Sequence, residues 1–258
     1  WAMLRKQFVI GPVKVNCNVV YSTKTKECLV VDPGGFESEM NSIIKWMKKK
    51  HLQVQKILIT HAHLDHILGI APLKKAFPTA DVYLHDEDRF MYDAIEAQCK
   101  MFGIIAKKKI SKLPTPLPLE HNQVLGSDLQ DTGLQCKIFH TPGHSPGSCC
   151  FYFEEGNSVF TGDTLFKFNI GRTDLMGGSF ETIISSITEK LYNLPEDTVA
   201  IPGHGDTTSI GQEKLHNLFT QDHTSVNNKP TRGISPQPIS GHQCLVCSSL
   251  PHFTTSSL

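Results

Sequence analysis

Residues 61–66 read His61-Ala62-His63-Leu64-Asp65-His66, three imidazoles and a carboxylate within six positions. A lone histidine is usually a satisfied core or surface residue. Four ligand-type side chains this close together point to metal binding, because imidazole nitrogen and carboxylate oxygen are donors that divalent transition ions select. The cluster follows the apolar run Ile57-Leu58-Ile59. If the chain stays extended through it, a side-chain period of two points His61, His63 and Asp65 the same way. His66 then falls where the chain turns into a helix. Four ligands converge at the carboxyl end of a strand, where loops are free to build a site.

Three later segments share one construction: an apolar run, a tight glycine turn and a ligand-type residue. They are Thr141-Pro142-Gly143-His144-Ser145-Pro146-Gly147, Thr161-Gly162-Asp163-Thr164 and Pro202-Gly203-His204-Gly205. Glycine permits the close approach and unusual dihedrals that such turns require. Each segment alone is a weak signal. Their order behind the histidine cluster adds His144, Asp163 and His204 to the candidate ligands.

The surrounding pattern must supply strands and helices to hold these turns. Short, partly β-branched runs at 4–10, 18–22 and 27–31, separated by turn residues, predict strands. Asp32-Pro33-Gly34-Gly35 stops the third. Apolar residues at Met40, Ile43, Ile44 and Met47 predict a helix over 38–51 with Ser38 as its cap. A strand over 56–60, a helix over 67–77 ended by Pro78, a strand over 82–85 and a helix over 87–102 follow. The proline-rich stretch 114–119 is a loop. Strands at 135–140, 149–153, 158–161 and 198–201 and helices at 179–191 and 211–219 complete the pattern. Strands first and helices later in each half fit two sheets packed face to face with helices outside. The catalytic domain is expected over 1–221. From Asp222 on, Ser, Thr, Pro, Asn and Gly dominate, and 222–258 reads as a disordered polar tail. His242, Cys244, Cys247 and His252 lie in it; without a second ligand pair they read as tail rather than as a zinc site.

Lys+Arg and Asp+Glu balance at 25 each, with no basic excess for nucleic acid. The runs Lys48-Lys49-Lys50 and Lys107-Lys108-Lys109 read as solvated faces. No apolar stretch approaches the ~20 residues that span a bilayer, and no secretory signal is visible. The expectation is a cytoplasmic protein, with a mitochondrial location as the alternative because the chain opens on Trp1. The eight cysteines are irregularly spaced and mostly within apolar runs, which predicts buried free thiols.

The motifs together resemble those of the metallo-β-lactamase superfamily, near its hydroxyacylglutathione hydrolases (glyoxalase II) and their shorter relatives. The resemblance covers about residues 4–220 and adds Gly11-Pro12-Val13, Asn16-Cys17-Asn18, Val31-Asp32-Pro33-Gly34, Gly162-Asp163-Thr164-Leu165-Phe166 and Gly171-Arg172-Thr173-Asp174. It implies a four-layer αβ/βα sandwich with two divalent metal ions between the sheets. By that resemblance His61, His63 and His144 hold one ion, Asp65, His66 and His204 the other, and Asp163 bridges them. The donor set suits zinc, with iron or manganese as alternatives. Asp32 is the implied orienter of a ligand, and Arg172 the implied substrate anchor. A metal-bound hydroxide would then cleave a small-molecule thioester, possibly glutathione-derived. A thiolate leaves without a dedicated general acid.

Long glyoxalase II chains carry a C-terminal helical region with basic residues, where this sequence offers Lys229 and Arg232 in the polar tail. The rival reading is a persulfide dioxygenase with one iron on His61, His144 and Asp163; a nucleic-acid-processing member is a third. The residues before His204 read Pro-Gly rather than that dioxygenase family's more usual Ala, which favours the hydrolase. His85, His121 and His140 read as structural, His51, His216 and His223 as exposed, and Cys149 as a buried thiol rather than a nucleophile. Oligomeric state is open.

Overall fold

The computed structural model describes residues 3–104, 112–129 and 132–224. The first runs form an antiparallel meander of β1 (Met3–Ile10), β2 (Val15–Ser22) and β3 (Glu27–Val31). Helix α1 (Glu37–Lys49) crosses over to β4 (Gln53–Leu58), and α2 (Leu64–Ile67) and α3 (Ile70–Ala76) cross to β5 (Asp81–Leu84). Such crossovers are what parallel pairing requires, and β4, β5 and β6 (Leu117–Pro118) pair in parallel to finish a sheet in the order β1-β2-β3-β4-β5-β6. A 3-10 turn (Asp86–Asp88), α4 (Arg89–Asp93) and α5 (Ile95–Met101) follow β5.

The second sheet is built from β7 (Val124–Leu125), β8 (Cys136–His140), β9 (Cys149–Phe153), β10 (Ser158–Gly162), β13 (Val199–Pro202) and β14 (Thr208–Ser209), in the order β14-β13-β10-β9-β8-β7. A hairpin of β11 (Leu165–Phe166) and β12 (Asn169–Ile170) leaves β10, and α6 (Phe180–Glu189), α7 (Ile210–His216) and α8 (Leu218–Thr224) cover the outer face.

Strand alternation explains the layering. In β3, Cys28 and Val30 pack with Met40, Ile43 and Met47 of α1, while Leu29 and Val31 pack with Phe151, Phe160 and Ile201 of the other sheet. In β10, Val159 meets Ile183 and Ile187 of α6, and Phe160 faces inward. Both faces of each sheet are thus apolar, giving three cores and four layers. This is the αβ/βα sandwich expected. Among the described residues no helix is long and apolar enough to cross a membrane.

Several elements differ from the sequence pattern, each for a reason outside its own window. Ser38 does not cap α1. The helix starts at Glu37, where the Glu39 carboxylate accepts from the Phe36 N–H at 2.8 Å and from the Gly11 N–H at 3.1 Å. The strand expected over 56–60 ends at Leu58, and α2 begins at Leu64 with His63 in extended conformation before it. Asp65 therefore sits on a helical turn, and the two-residue alternation that grouped it with His61 and His63 does not reach it. The helix over 87–102 breaks at Ala94, and that over 211–219 breaks at Asn217, whose side chain bonds Asn169 O and Glu213. Helix α8 runs to Thr224; the rest of the polar tail and Lys107-Lys108-Lys109 lie outside the described residues.

Candidate metal centre

The histidine loop leaves β4 held from two sides. Asp32, at the end of β3 with φ +50°, accepts from the Thr60 N–H at 2.8 Å and from Thr60 Oγ1 at 2.7 Å. With its one proton given to Asp32, Thr60 Oγ1 acts as acceptor for His61 Nδ1 at 3.2 Å. Asp32 Oδ2 also lies 3.0 Å from His66 Nδ1. His144 Nδ1 donates to the Arg172 carbonyl at 2.8 Å, and His204 Nδ1 to the Val13 carbonyl at 3.1 Å. His61, His144 and His204 each have Nδ1 hydrogen-bonded outward, which sets their tautomer with the Nε2 lone pair turned inward, while His66 Nδ1 faces the Asp32 carboxylate.

All seven candidate ligands meet between the sheets. His61, His63 and His144 bring one ligand atom each to within 4.8 Å of one another, as do Asp65, His66 and His204. Asp163 stands between the trios: Oδ1 is 3.5 Å from His66 Nε2, and Oδ2 is 3.7 Å from both His144 Nε2 and His204 Nε2. His61 Nε2, His66 Nε2, His204 Nε2 and Asp163 Oδ1 are buried with no hydrogen-bond partner. Leaving a buried polar atom unmade costs about 1–3 kcal/mol, so their clustering within the two ligand groups fits divalent cations as the missing partners.

The electrostatics agree. Burial, reinforced by the neighbouring imidazoles, holds His61 well below the ordinary histidine range; burial takes His63 down to about 3 and His144 to about 4. These three are neutral donors. Burial also opposes a charge on His66 and His204, but Asp65, Asp32 and Asp163 outweigh it at His66, and Asp163 and Asp65 outweigh it at His204, so both are raised. Burial likewise opposes the Asp65 carboxylate, which His66 and His204 hold well below the usual range. The carboxylates thus favour positive charge at His66 and His204, the charge that bound cations would otherwise supply.

Sequence reasoning missed the residues that hold the loops. Asp88 accepts from the Ala62 N–H at 2.9 Å, the Gly147 N–H at 2.6 Å and Ser145 Oγ at 2.8 Å. One buried carboxylate thereby clamps the His61–His63 loop to the His144 loop. Gln98 accepts from the Leu64 N–H and donates to the Ala62 carbonyl, both at 2.9 Å. Asn16 donates from Nδ2 to the Pro202 and Gly205 carbonyls, fixing the His204 turn. Asn16 stands within a quoted motif; Asp88 and Gln98 sit in a helical stretch with no local mark of their long-range partners. Asp88→Asn turns an amide toward N–H donors and leaves at least one unsatisfied. We expect a stability loss of about 1–3 kcal/mol and about 10–100-fold weaker ion binding. A thermal melt and a chelator competition check this; unchanged values in both would refute the clamp.

Arg172 is placed otherwise than a free anchor. Its guanidinium makes a two-pronged pair with Asp174, both bonds 2.7 Å, and its carbonyl orients His144. Cys17, Cys28, Cys99, Cys136, Cys149 and Cys150 are free and buried. Burial pushes the Cys149 thiol well above its ordinary range, so it is protonated and not a nucleophile.

A family model described as the metallo-beta-lactamase superfamily matches residues 10–204. The chain is 36% identical over 204 residues to a protein named hydroxyacylglutathione hydrolase GloC from Haemophilus influenzae, covering 79% of this chain and 92% of that one. The crystal structure of BLEG-1 B3 metallo-beta-lactamase superposes with TM-score 0.73 at 36% identity, over 84% of this chain and 99% of that one. TTHA1623, solved in a di-iron-bound form, gives TM-score 0.70 at 33% identity, over 83% and 99%.

Proposed function

The chain belongs to the metallo-β-lactamase superfamily of metal-dependent hydrolases, and from that premise we propose that it cleaves small-molecule thioesters at a two-cation centre, with a hydroxyacylglutathione as the reference substrate. The observation that carries this reading is the pair of trios, His61/His63/His144 and Asp65/His66/His204, facing each other across Asp163. Two cations bound there would acidify a water and polarise a substrate carbonyl. The chain's own part is positional: outward hydrogen bonds fix His61, His144 and His204, and Asp163 stands between the trios.

The carboxylates beside the trios support the thioester reading. Asp32 and Asp88 spend their oxygens on Thr60, His66, Ala62, Ser145 and Gly147. Neither is placed to protonate a leaving group, and a thiolate, with a thiol pKa of about 8.5, needs no such help. The GloC relative's name supplies the glutathione carrier. A substrate carboxylate reaching Arg172 would compete with Asp174. The nitrogen and carboxylate donors suit zinc, while the di-iron relative makes iron the alternative.

The test measures metal content together with hydrolysis of S-lactoylglutathione and of a β-lactam, and oxygen uptake with glutathione persulfide. We expect close to two ions per chain, thioester turnover and no oxygen uptake. One iron per chain with oxygen uptake would replace the reading by the dioxygenase, and turnover of the β-lactam alone would remove the thioester.

A further inference from the structure

Outside the seven ligands, the described residues contain one more metal-compatible group. His85 follows β5, Glu87 lies in the next 3-10 turn, and His140 closes β8, so the group joins the two sheets. We propose that His85, Glu87 and His140 form a third cation site, for a nitrogen-preferring divalent transition ion such as Zn2+.

The argument begins with geometry. The His85 and His140 rings stack at 3.8 Å with planes 12° apart, and Glu87 Oε2 stands 3.7 Å from His140 Nε2. One ligand atom of each residue lies within 4.8 Å of the others. Around a tetrahedral ion at ~2.1 Å, ligand atoms are roughly 3.4 Å apart; the exposed Glu87 side chain closes by a movement of about 1 Å, and the stacked rings turn out of parallel so that both lone pairs reach the ion.

The backbone beneath is fixed. The His140 N–H donates to His121 Nδ1 at 3.2 Å, and the His140 carbonyl accepts from Lys190 Nζ at 2.5 Å. His85 Nδ1 accepts from the Glu87 N–H at 3.4 Å, leaving Nε2 as the binding atom. Burial and the neighbouring His140 hold His85 below the ordinary imidazole range, so its lone pair is present at neutral pH. Two nitrogens and one carboxylate oxygen leave a position for water and select transition ions over Mg2+ or Ca2+.

The site differs in kind from the buried centre, being half-exposed and therefore weaker and exchangeable. His140 Nε2 now bonds the Pro146 carbonyl at 2.8 Å. An ion on that nitrogen displaces the bond and frees Pro146, two residues beyond His144.

The full chain, already holding two equivalents of Zn2+, is titrated with more Zn2+ against a chromophoric chelator, alongside His85→Gln and Glu87→Gln. Ions taken by residues outside the described part are common to all three proteins and cancel in the difference. We expect one additional ion in the wild type, bound at least ~10-fold more weakly by either variant, since ligand-set losses cost that or more. Glu87→Gln alters only an exposed side chain and carries the test if His85→Gln misfolds. Equal uptake by all three overturns the site, as does loss of the first two equivalents in a correctly folded His85→Gln.

Discussion

His204→Ala is expected to release one of two bound ions and to lower kcat/KM on S-lactoylglutathione by at least about 100-fold, roughly 2.7 kcal/mol of transition-state stabilisation. His204 Nε2 stands 3.0 Å from Asp65 Oδ2 and 3.7 Å from Asp163 Oδ2, and its Nδ1 is held by Val13. Without it, the second trio keeps only Asp65 and His66, and a buried carboxylate loses its counter-charge. His144→Ala serves as the positive control, because His144 belongs to the first trio and to the one-iron reading alike. The two readings separate on His204 alone. One iron on His61, His144 and Asp163 does not need it, so that reading expects iron content and oxygen chemistry to survive. Full metal content and full thioesterase activity in His204→Ala, with both lost in His144→Ala, would end the two-ion proposal.

What the sequence made legible follows the range of the interactions. Strand alternation in β3 and β10, and the helical spacing of Met40, Ile43 and Met47, are local patterns, and the layers they imply are those observed. The glycine turns before His144 and His204 and around Asp163 are equally local. Helix starts were less legible where the stabilising partner is distant: Glu39 caps α1 while reaching Gly11, and Ser38 only resembles a cap. Alternation misled at Asp65, because the strand stops at Leu58 and a helical turn delivers the carboxylate. The supports Asp88 and Gln98 bond backbone groups 26 to 59 residues away, a relation no window contains. His85 and His140 read singly as structural; only the juxtaposition of β5 and β8 puts them face to face.

The family resemblance implies a substrate anchor at Arg172, and in the structure its guanidinium is paired with Asp174 at 2.7 Å. The Arg172 backbone carbonyl orients His144. The neighbouring Gly171 is the more demanding position, since a Cβ there would lie 1.8 Å from the Asp163 carbonyl.

Gly203→Ala is expected to do as much damage as loss of a ligand, although it removes no functional group. A Cβ at Gly203 would stand 2.3 Å from Asp163 Oδ1 and 2.8 Å from His66 Cε1. The backbone cannot retreat, because the Gly203 N–H donates to the Gly162 carbonyl at 2.8 Å and its carbonyl accepts from the Asn16 N–H at 2.7 Å. The methyl must therefore push the carboxylate that stands between the trios, or His66 in the second. A displacement near 1 Å at reacting groups costs on the order of 100-fold, and here it would weaken both ions rather than one. Gly205→Ala separates crowding from backbone strain. Gly205 has φ +75° with nothing within 4 Å of an added Cβ, so the change costs roughly 1–2 kcal/mol of stability while leaving the ligands in place. Metal analysis and kinetics on the two variants decide the matter. If Gly203→Ala binds two ions and turns over at the wild-type rate, Asp163 does not occupy the shared position assigned to it.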